Sequence, residues 1–524
     1  MTKYIIRRLI HGAISIVIVV ALVMILIYAI MDRNLIFASD ALYSKQNNNQ
    51  KTTYKCQRWE EYGYIDYVTY SEWLTELVNT GEIDAETRTS LVSIGKTADA
   101  DSAEVAEYVK KFTDTYKSKG YSVKRLDAVM LSKKKVADGG NQALFAYKDI
   151  PLYHRLITYF TKLVQVDNIH NVKEDIGERG LTFTLHDPAY GGEKFSPAIM
   201  GNGTTHKYLL YFDSKFPYIH QNIVTINLGV SYSVNTGVDV FNTMSKTQGA
   251  YLKSNVIYPT GAQELSADDV HTATYAAGSL SGLAINAGRY TDDYTNVLTV
   301  KNGRSRVGYS FIFGILSIIL SYAIGLPVGL LMARHKDGLI DKIGTVYIVF
   351  IISVPSLAYI FLVKAIGGSL FHLPTTFNVE ATTKLMFILP IISLSLRSIG
   401  NTMRWLRRFM IDQMNADYVK FARSGGLTEN EIFTKHILKN ASIPIIHGIP
   451  ADILFALVGA LITERVYAVP GAGGLLVEAI QKYDNAVIVG VTLFYAVLTV
   501  LSYILGDVLM AMVDPRISFS DEKR

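Results

Sequence analysis

Leu9 to Met31 is a run of about 23 residues without a formal charge, and a helix needs about 20 apolar residues to cross a hydrocarbon core. No soluble fold leaves such a run intact. It follows Lys3, Arg7 and Arg8, which places the N-terminus on the cytoplasmic side. It closes on Tyr28-Ala29-Ile30-Met31-Asp32-Arg33 without a small-x-small cleavage pattern. The run therefore reads as an uncleaved first span.

Further spans are expected at Val307–Met332, Ile343–Val363, Leu385 to about Thr402, Ile443–Thr463 and Ala486–Val513. Six spans put both termini inside. Charge tests that orientation independently, because Lys and Arg concentrate in short cytoplasmic segments. The predicted inner segments hold 16 of them and the predicted outer short loops hold four, Lys364, Lys384, Arg465 and Lys482. Residues 33–304 then lie outside the cell.

Composition agrees with a divided chain. Of 524 residues only 19% are charged and the net charge is +5, against about 25% charged residues in an ordinary soluble domain. From Arg33 to Arg306, 30 basic residues balance 30 acidic ones, so the outer segment lacks the basic face that a nucleic-acid partner requires. The single cysteine, Cys56, excludes an intrachain disulfide and reads as a structural thiol.

The outer segment is too long for a loop and reads as α+β. Asp101-Ser102-Ala103-Glu104 caps a helix toward Lys119 that stops at Gly120, and Pro151–Val166 has a helical period. Tyr208–Phe212 and Ile223–Leu228 read as strands, and Gln46–Gln50 as a polar loop. Its histidines and acids show no ligand spacing, and Asp268-Asp269 and Asp292-Asp293 read as solvated turn charges rather than cation ligands.

Between spans four and five, Asp417–Ser424 reads as a short amphipathic helix stopped by Gly425-Gly426, and Thr428 with Glu431 forms a capping box for a second helix. Two short cytoplasmic helices joined by glycines make a knob. Pro470-Gly471-Ala472-Gly473-Gly474 is not a phosphate loop, since no Lys-Ser/Thr follows. Ionisable residues inside spans face the bundle or a water-filled path. For Asp452, path lining and helix–helix pairing stay equally open; for Asp507, pairing with a basic loop residue is favoured.

The segment Tyr418-Val419-Lys420-Phe421-Ala422-Arg423, followed by Gly426-Leu427 and Pro444, resembles the cytoplasmic coupling loop of oligopeptide ABC importer permeases of the Opp/Ami type. Other blocks agree: Tyr4-Ile5-Ile6-Arg7-Arg8-Leu9, Leu228-Gly229-Val230-Ser231-Tyr232, Glu464-Arg465-Val466-Tyr467 with Pro470-Gly471-Ala472-Gly473, and Gly506-Asp507 with Asp514-Pro515-Arg516-Ile517. The length of the outer insertion is similar to that of the C-type permeases of streptococcal Ami importers. Three positions depart from the pattern: Ser424-Gly425 before Gly426, residues 167–227 ahead of the Leu-Gly-x-Ser-Tyr block, and Asp452.

The resemblance implies a type I ABC importer permease fold of six transmembrane helices with a large extracellular α+β domain between helices 1 and 2. The parts would be residues 1–32, the outer domain 33–304, and a core 305–524 whose coupling loop covers about 403–442. Tyr418, Phe421 and Ala422 would supply apolar contact to an ATPase, Gly426 the turn, and Lys420 and Arg423 a polar edge. Implied partners are a second homologous permease, two ATPases that carry the ATP and Mg, a peptide-binding lipoprotein, the oligopeptide and the lipid bilayer. The chain itself would bind no cofactor and catalyse nothing. Rival readings are a membrane subunit of an exporter-like or mechanotransmitting ABC system, against which the coupling loop argues, and an extracellular signal receptor, which needs a cytoplasmic output domain.

Overall fold

The computed structural model describes residues 2–513 apart from positions 39, 47, 96–97, 127–129, 132–133, 136–143, 174–175, 188–194, 213–218, 246–247, 249, 253–254, 258–262, 266–273, 276–289, 292–298, 302 and 382. Asp268-Asp269, Asp292-Asp293 and Asp514–Ile517 lie outside the described residues.

The first apolar run is one helix, α1 (Thr2–Ile30). The chain then enters a polar lobe through α2 (Asn48–Glu61). This corrects the polar loop expected at Gln46–Gln50: the amides at its C-terminal end form the first turn of a helix that continues to Glu61. Three strands, β1 (Ile65–Thr69), β2 (Ser122–Arg125) and β3 (Leu144–Asp149), form an antiparallel sheet in the order β1-β3-β2. Helices α3 (Tyr70–Asn79), α4 (Ala85–Leu91) and α5 (Ala103–Ser118) complete this lobe around Tyr70, Trp73, Leu74 and Phe112.

Local chemistry explains these boundaries. Thr69 and Glu72 form a reciprocal capping box at the start of α3, satisfying orphan amides of the first turn. Ser102 caps α5, and Gly120 follows it at φ +79°, a left-handed position that glycine adopts without a Cβ penalty. Arg125 makes a two-pronged ion pair with Asp101 at 2.6 and 2.9 Å. That guanidinium holds the Asp101 carboxyl below the usual carboxylate range.

Helix α6 (Leu152–Lys162) is shorter than its apolar period, because Val164–Val166 leaves it as a strand, β4. A second sheet follows with β5 (Gly180–Thr184), β6 (Ala198–Asn202), β7 (Tyr208–Phe212) and β8 (Ile219–Gln221), antiparallel in the order β8-β7-β6-β5. Strand β9 (Val224–Ile226) returns to pair with β4, setting Val224 opposite Val166 and Ile226 opposite Val164. Asp167 N donates to Ile223 O at 2.7 Å and Asn227 N to Leu163 O at 2.8 Å. The long insertion at residues 167–227 is thus closed at its neck, and the block starting at Leu228 follows α6 in space.

From Arg306 onward the described chain is mainly helical: α7 (Arg306–Arg334), α8 (Leu339–Ser353), α9 (Ser356–Phe371), α10 (Ile388–Met414), α11 (Asp417–Ser424), α12 (Lys439–Tyr467), α13 (Ala472–Gln481) and α14 (Asn485–Val513). Among the described residues α1, α7, the stretch Lys384–Met414 and α14 are long and apolar enough to cross a membrane. The third expected span is not straight. Helices α8 and α9 meet at 111°, because Pro355 has no N–H to continue α8 and holds Val354 extended, at φ −78° and ψ 131°. Helix α12 has the 29-residue length of α7 and α14 and carries Pro444 and Pro450.

Helices α7 and α10 pack through a stripe of small residues. A Cβ at Gly325 would press on Thr402 and Ile399, and one at Gly329 on the Met403 backbone, the close approach that a small-xxx-small pair permits. Ser321, on the same face, donates to Ser395 O at 3.2 Å.

The polar lobe and the apolar helices share a core. Tyr64, Ile65, Tyr67 and Phe145 are buried with Val20 and Met24 of α1, Leu475 of α13, and Val487 and Val491 of α14. Cys56 is buried in this cluster, and burial pushes its thiol up to about 11, the behaviour of an inert structural cysteine.

Candidate functional site: the helical knob and the buried acids

Helix α11 ends at Gly425, and Gly426 at φ +81° reverses the chain. Thr428 and Glu431 form the expected capping box. The second helix differs from the expected short one: residues 432–438 adopt a π-helical turn and run directly into α12. The knob is therefore a rigid extension of the fifth apolar segment.

Val419 and Ala422 are turned inward and buried against Leu406 and Met410 of α10 and against Phe433 and Ile437. Ala422, expected to contact an ATPase, already has its partner within the chain. Tyr418 is half-buried and donates to Gln413 at 2.8 Å. Phe421 is 80% exposed, so the knob presents one large apolar ring outward. Around it Lys420 pairs with Asp417 at 2.9 Å and Arg423 with Glu429 at 2.7 Å, giving the ring a polar rim. Arg334, the last residue of α7, donates to Asn430 at 2.7 Å. Arg407 of α10 grips Asp341 of α8 at 2.5 and 2.7 Å. The sequence reading had not singled out this clamp; an acid in the first turn of an otherwise apolar helix was its signal.

The end of α12 away from the knob is built on a second acid. Glu464 is 2% exposed; it accepts from the Ser310 hydroxyl at 2.6 Å and from Gly474 N at 2.8 Å. Ser310 in turn accepts from Ala472 N at 2.8 Å. A carboxylate at the first turn of α13 is favoured by the amides and dipole of a helix start. Pro470-Gly471-Ala472-Gly473 makes this possible: a Cβ on Gly471 would overlap the Glu464 carboxyl, and one on Gly473 would press on Leu461.

Asp484, absent from the sequence reading, is wholly buried. Its Oδ2 accepts from the Ser231 hydroxyl at 2.6 Å and from the backbone amides of Tyr232, Ser233 and Val234, each at 2.9 Å. Its Oδ1 accepts from Val487 N at 3.3 Å, capping α14. Successive amides pointing at one anion form a nest. The Leu228–Tyr232 block is thus tied to α14, and an acid next to an Asn at the mouth of an apolar run was the available signal.

The two acids inside the apolar helices take up partners. Asp452 accepts from the Tyr322 hydroxyl of α7 at 2.6 Å, a helix–helix pairing. Asp507 accepts from the Tyr4 hydroxyl at 2.9 Å and lies 3.3 Å from Arg8 and 3.5 Å from His447. Its basic partner sits on α1 rather than on a loop, so the Tyr4–Leu9 and Gly506-Asp507 blocks meet. Among the described residues no group of three or more His, Cys, Asp or Glu side chains is placed to hold a metal.

Residues 325–519 match the family described as binding-protein-dependent transport system inner membrane component. Over its full length the chain is 31% identical to the oligopeptide transport system permease protein AmiC of Streptococcus pneumoniae, covering 99% of that protein. The dipeptide transport system permease protein DppB of Lactococcus lactis is 33% identical over 43% of this chain and 73% of its own length. The protein of that name in Bacillus subtilis is 30% identical over 40% of this chain and 67% of its own length.

Proposed function

Because this chain belongs to the family of inner membrane components of binding-protein-dependent transport systems, we propose that it is one permease of an ATP-driven oligopeptide importer. The observation that carries the reading is the full-length likeness to an oligopeptide permease, which takes in the outer residues 33–304 as well as the helices. The finer arrangement is our reading. Six crossings, with α8 and α9 as one broken segment, leave both termini cytoplasmic and residues 33–304 extracellular. A second homologous permease completes the path, two ATPases bind ATP and Mg beneath it, and a peptide-binding lipoprotein delivers the peptide from outside.

The geometry supports a mechanical coupling. Phe421 is the outward anchor, an exposed aromatic ringed by satisfied charges, which is the make-up of a contact hot spot. Val419 and Ala422 lock the knob to α10, and the π turn makes it continuous with α12. A push on Phe421 therefore moves α10 and α12 together. The last turn of α12 carries Glu464, whose bonds reach α7 and α13, so the motion is delivered to the outer mouth. Hydrolysis in the ATPases resets it; the chain itself contributes binding surface and levers, no reacting group.

Phe421→Asp tests this without removing a contact inside the chain. The complex should still insert and melt normally, while ATPase co-purification and peptide uptake fall at least tenfold. Gly426→Trp should have the same effect by straining a left-handed turn. Unchanged uptake in both variants would reject the coupling role.

A further inference from the structure

We propose that a cavity beneath the outer lobe binds the phosphate of an anionic phospholipid from the outer leaflet. The cavity, about 630 Å³, lies between α6, the outer end of α1 and the first turns of α14. One face of α6 supplies Arg155, Thr158, Tyr159 and Lys162 to it, the i, i+3, i+4, i+7 spacing that aligns side chains along a helix. Arg155 is clamped with its guanidinium carbon 3.8 Å from the Tyr28 ring centroid and 3.9 Å from that of Tyr64. Neither Arg155 nor Lys162 has an ion pair among the described residues, and the Tyr159 hydroxyl is buried without a hydrogen-bond partner there.

The acids at the rim do not neutralise these cations. Glu61 is bonded to Arg58, and the ion pairs among the described residues join neither Glu61 nor Asp66 to Arg155 or Lys162. His154 adds a further titratable group on the same side. A fixed guanidinium, with an ammonium two turns further along the same helix and lining the same cavity, is suited to a phosphate, which the guanidinium meets through parallel N–H donors.

Depth selects the source of that phosphate; this step rests on α1 crossing a membrane, and the choice of the outer leaflet rests on the proposed orientation of the importer permease. Tyr28 is three residues from the end of the uncharged run at Met31, the level of the aromatic belt at a lipid headgroup. The cavity's apolar lining includes Met24, one turn further into α1 than Tyr28, and Val489, one turn into α14, with Leu228 packed against α14 at Gly490. A cationic rim over an apolar floor matches an amphiphile. Two unpaired cations disfavour a choline headgroup and favour phosphatidylglycerol.

The test is native mass spectrometry of the full chain released from nanodiscs of mixed phosphatidylglycerol and phosphatidylcholine. The wild type should retain one phosphatidylglycerol. Lys162→Gln, at an exposed position, and Arg155→Gln should each reduce retention at least tenfold, and Arg155→Lys should keep part of it. Retention at the wild-type level in both Lys162→Gln and Arg155→Gln would overturn the proposal. Displacement of the lipid by millimolar inorganic phosphate, or by a short peptide at the same concentration, would overturn it too and reassign the cavity to a free anion or to substrate.

Discussion

Asp484 shows how one buried charge is held where water is absent. Five donors converge on it, from Ser231, Tyr232, Ser233, Val234 and Val487, and each would be left unsatisfied if the carboxylate were removed. Unpaired buried donors cost about 1–3 kcal/mol each, so Asp484→Ala should lower stability by at least about 3 kcal/mol. Asp484→Asn keeps the volume and one acceptor oxygen and should cost less. Thermal unfolding of the detergent-purified protein, followed by limited proteolysis at residues 228–234, reads both effects. An Ala variant that melts with the wild type and resists cleavage would contradict this account. Phe421 is the opposite case, a side chain with almost no intrachain role, so its loss is expected to appear in uptake and not in melting.

At the scale of elements, the neck made by β4 and β9 decides what the insertion can do to the rest. Val166 faces Val224, and Asp167 already bonds to Ile223, so residues 168–222 can be replaced by Asn-Gly, a pair suited to a two-residue hairpin turn. The shortened chain should insert, melt within a few degrees of the wild type and keep the Asp484 node. Loss of the node, read as new cleavage at residues 228–234, would mean that the second sheet props up the core. The neck was hidden in the sequence because three-residue strands give no alternation, and β4 followed α6 with its apolar period unbroken. Long uncharged runs made α1, α7 and α14 legible, and Thr428, Glu431 and the glycine pair made the knob legible. The bend at Val354-Pro355 was visible as a proline, yet apolar residues on both sides masked it as one span. The side chosen by Ala422 was not legible, since an amphipathic helix has two faces to offer and only packing against Met410 and Phe433 decides. Asp484 escaped for a related reason: its partners lie some 250 residues earlier in the chain.

For the whole molecule, the shared core around Tyr64 and Phe145 changes how residues 33–304 should be regarded. The sequence marks residues 33–304 as a separate polar body with balanced charge, but Val20, Met24, Leu475, Val487 and Val491 complete its hydrophobic interior. Expressed alone, residues 33–304 would expose that apolar surface to water and are expected to aggregate, whereas the full chain in detergent should stay monodisperse by size-exclusion chromatography. A soluble, cooperatively melting fragment would show that the membrane helices are dispensable for its fold. The same coupling bears on delivery. In the proposed importer, a lipoprotein resting on a lobe that shares its core with α1 and α14 would press directly on helices that the knob would move through α12, so lipoprotein docking and ATP binding would act on one connected body. Surface-plasmon resonance on the intact complex should therefore give lipoprotein binding that changes severalfold when the ATPases are trapped with ATP and that is lost when the Asp484 node is broken. Binding that ignores both changes would make the outer domain a passive tether and leave the delivery signal to the short outer loops.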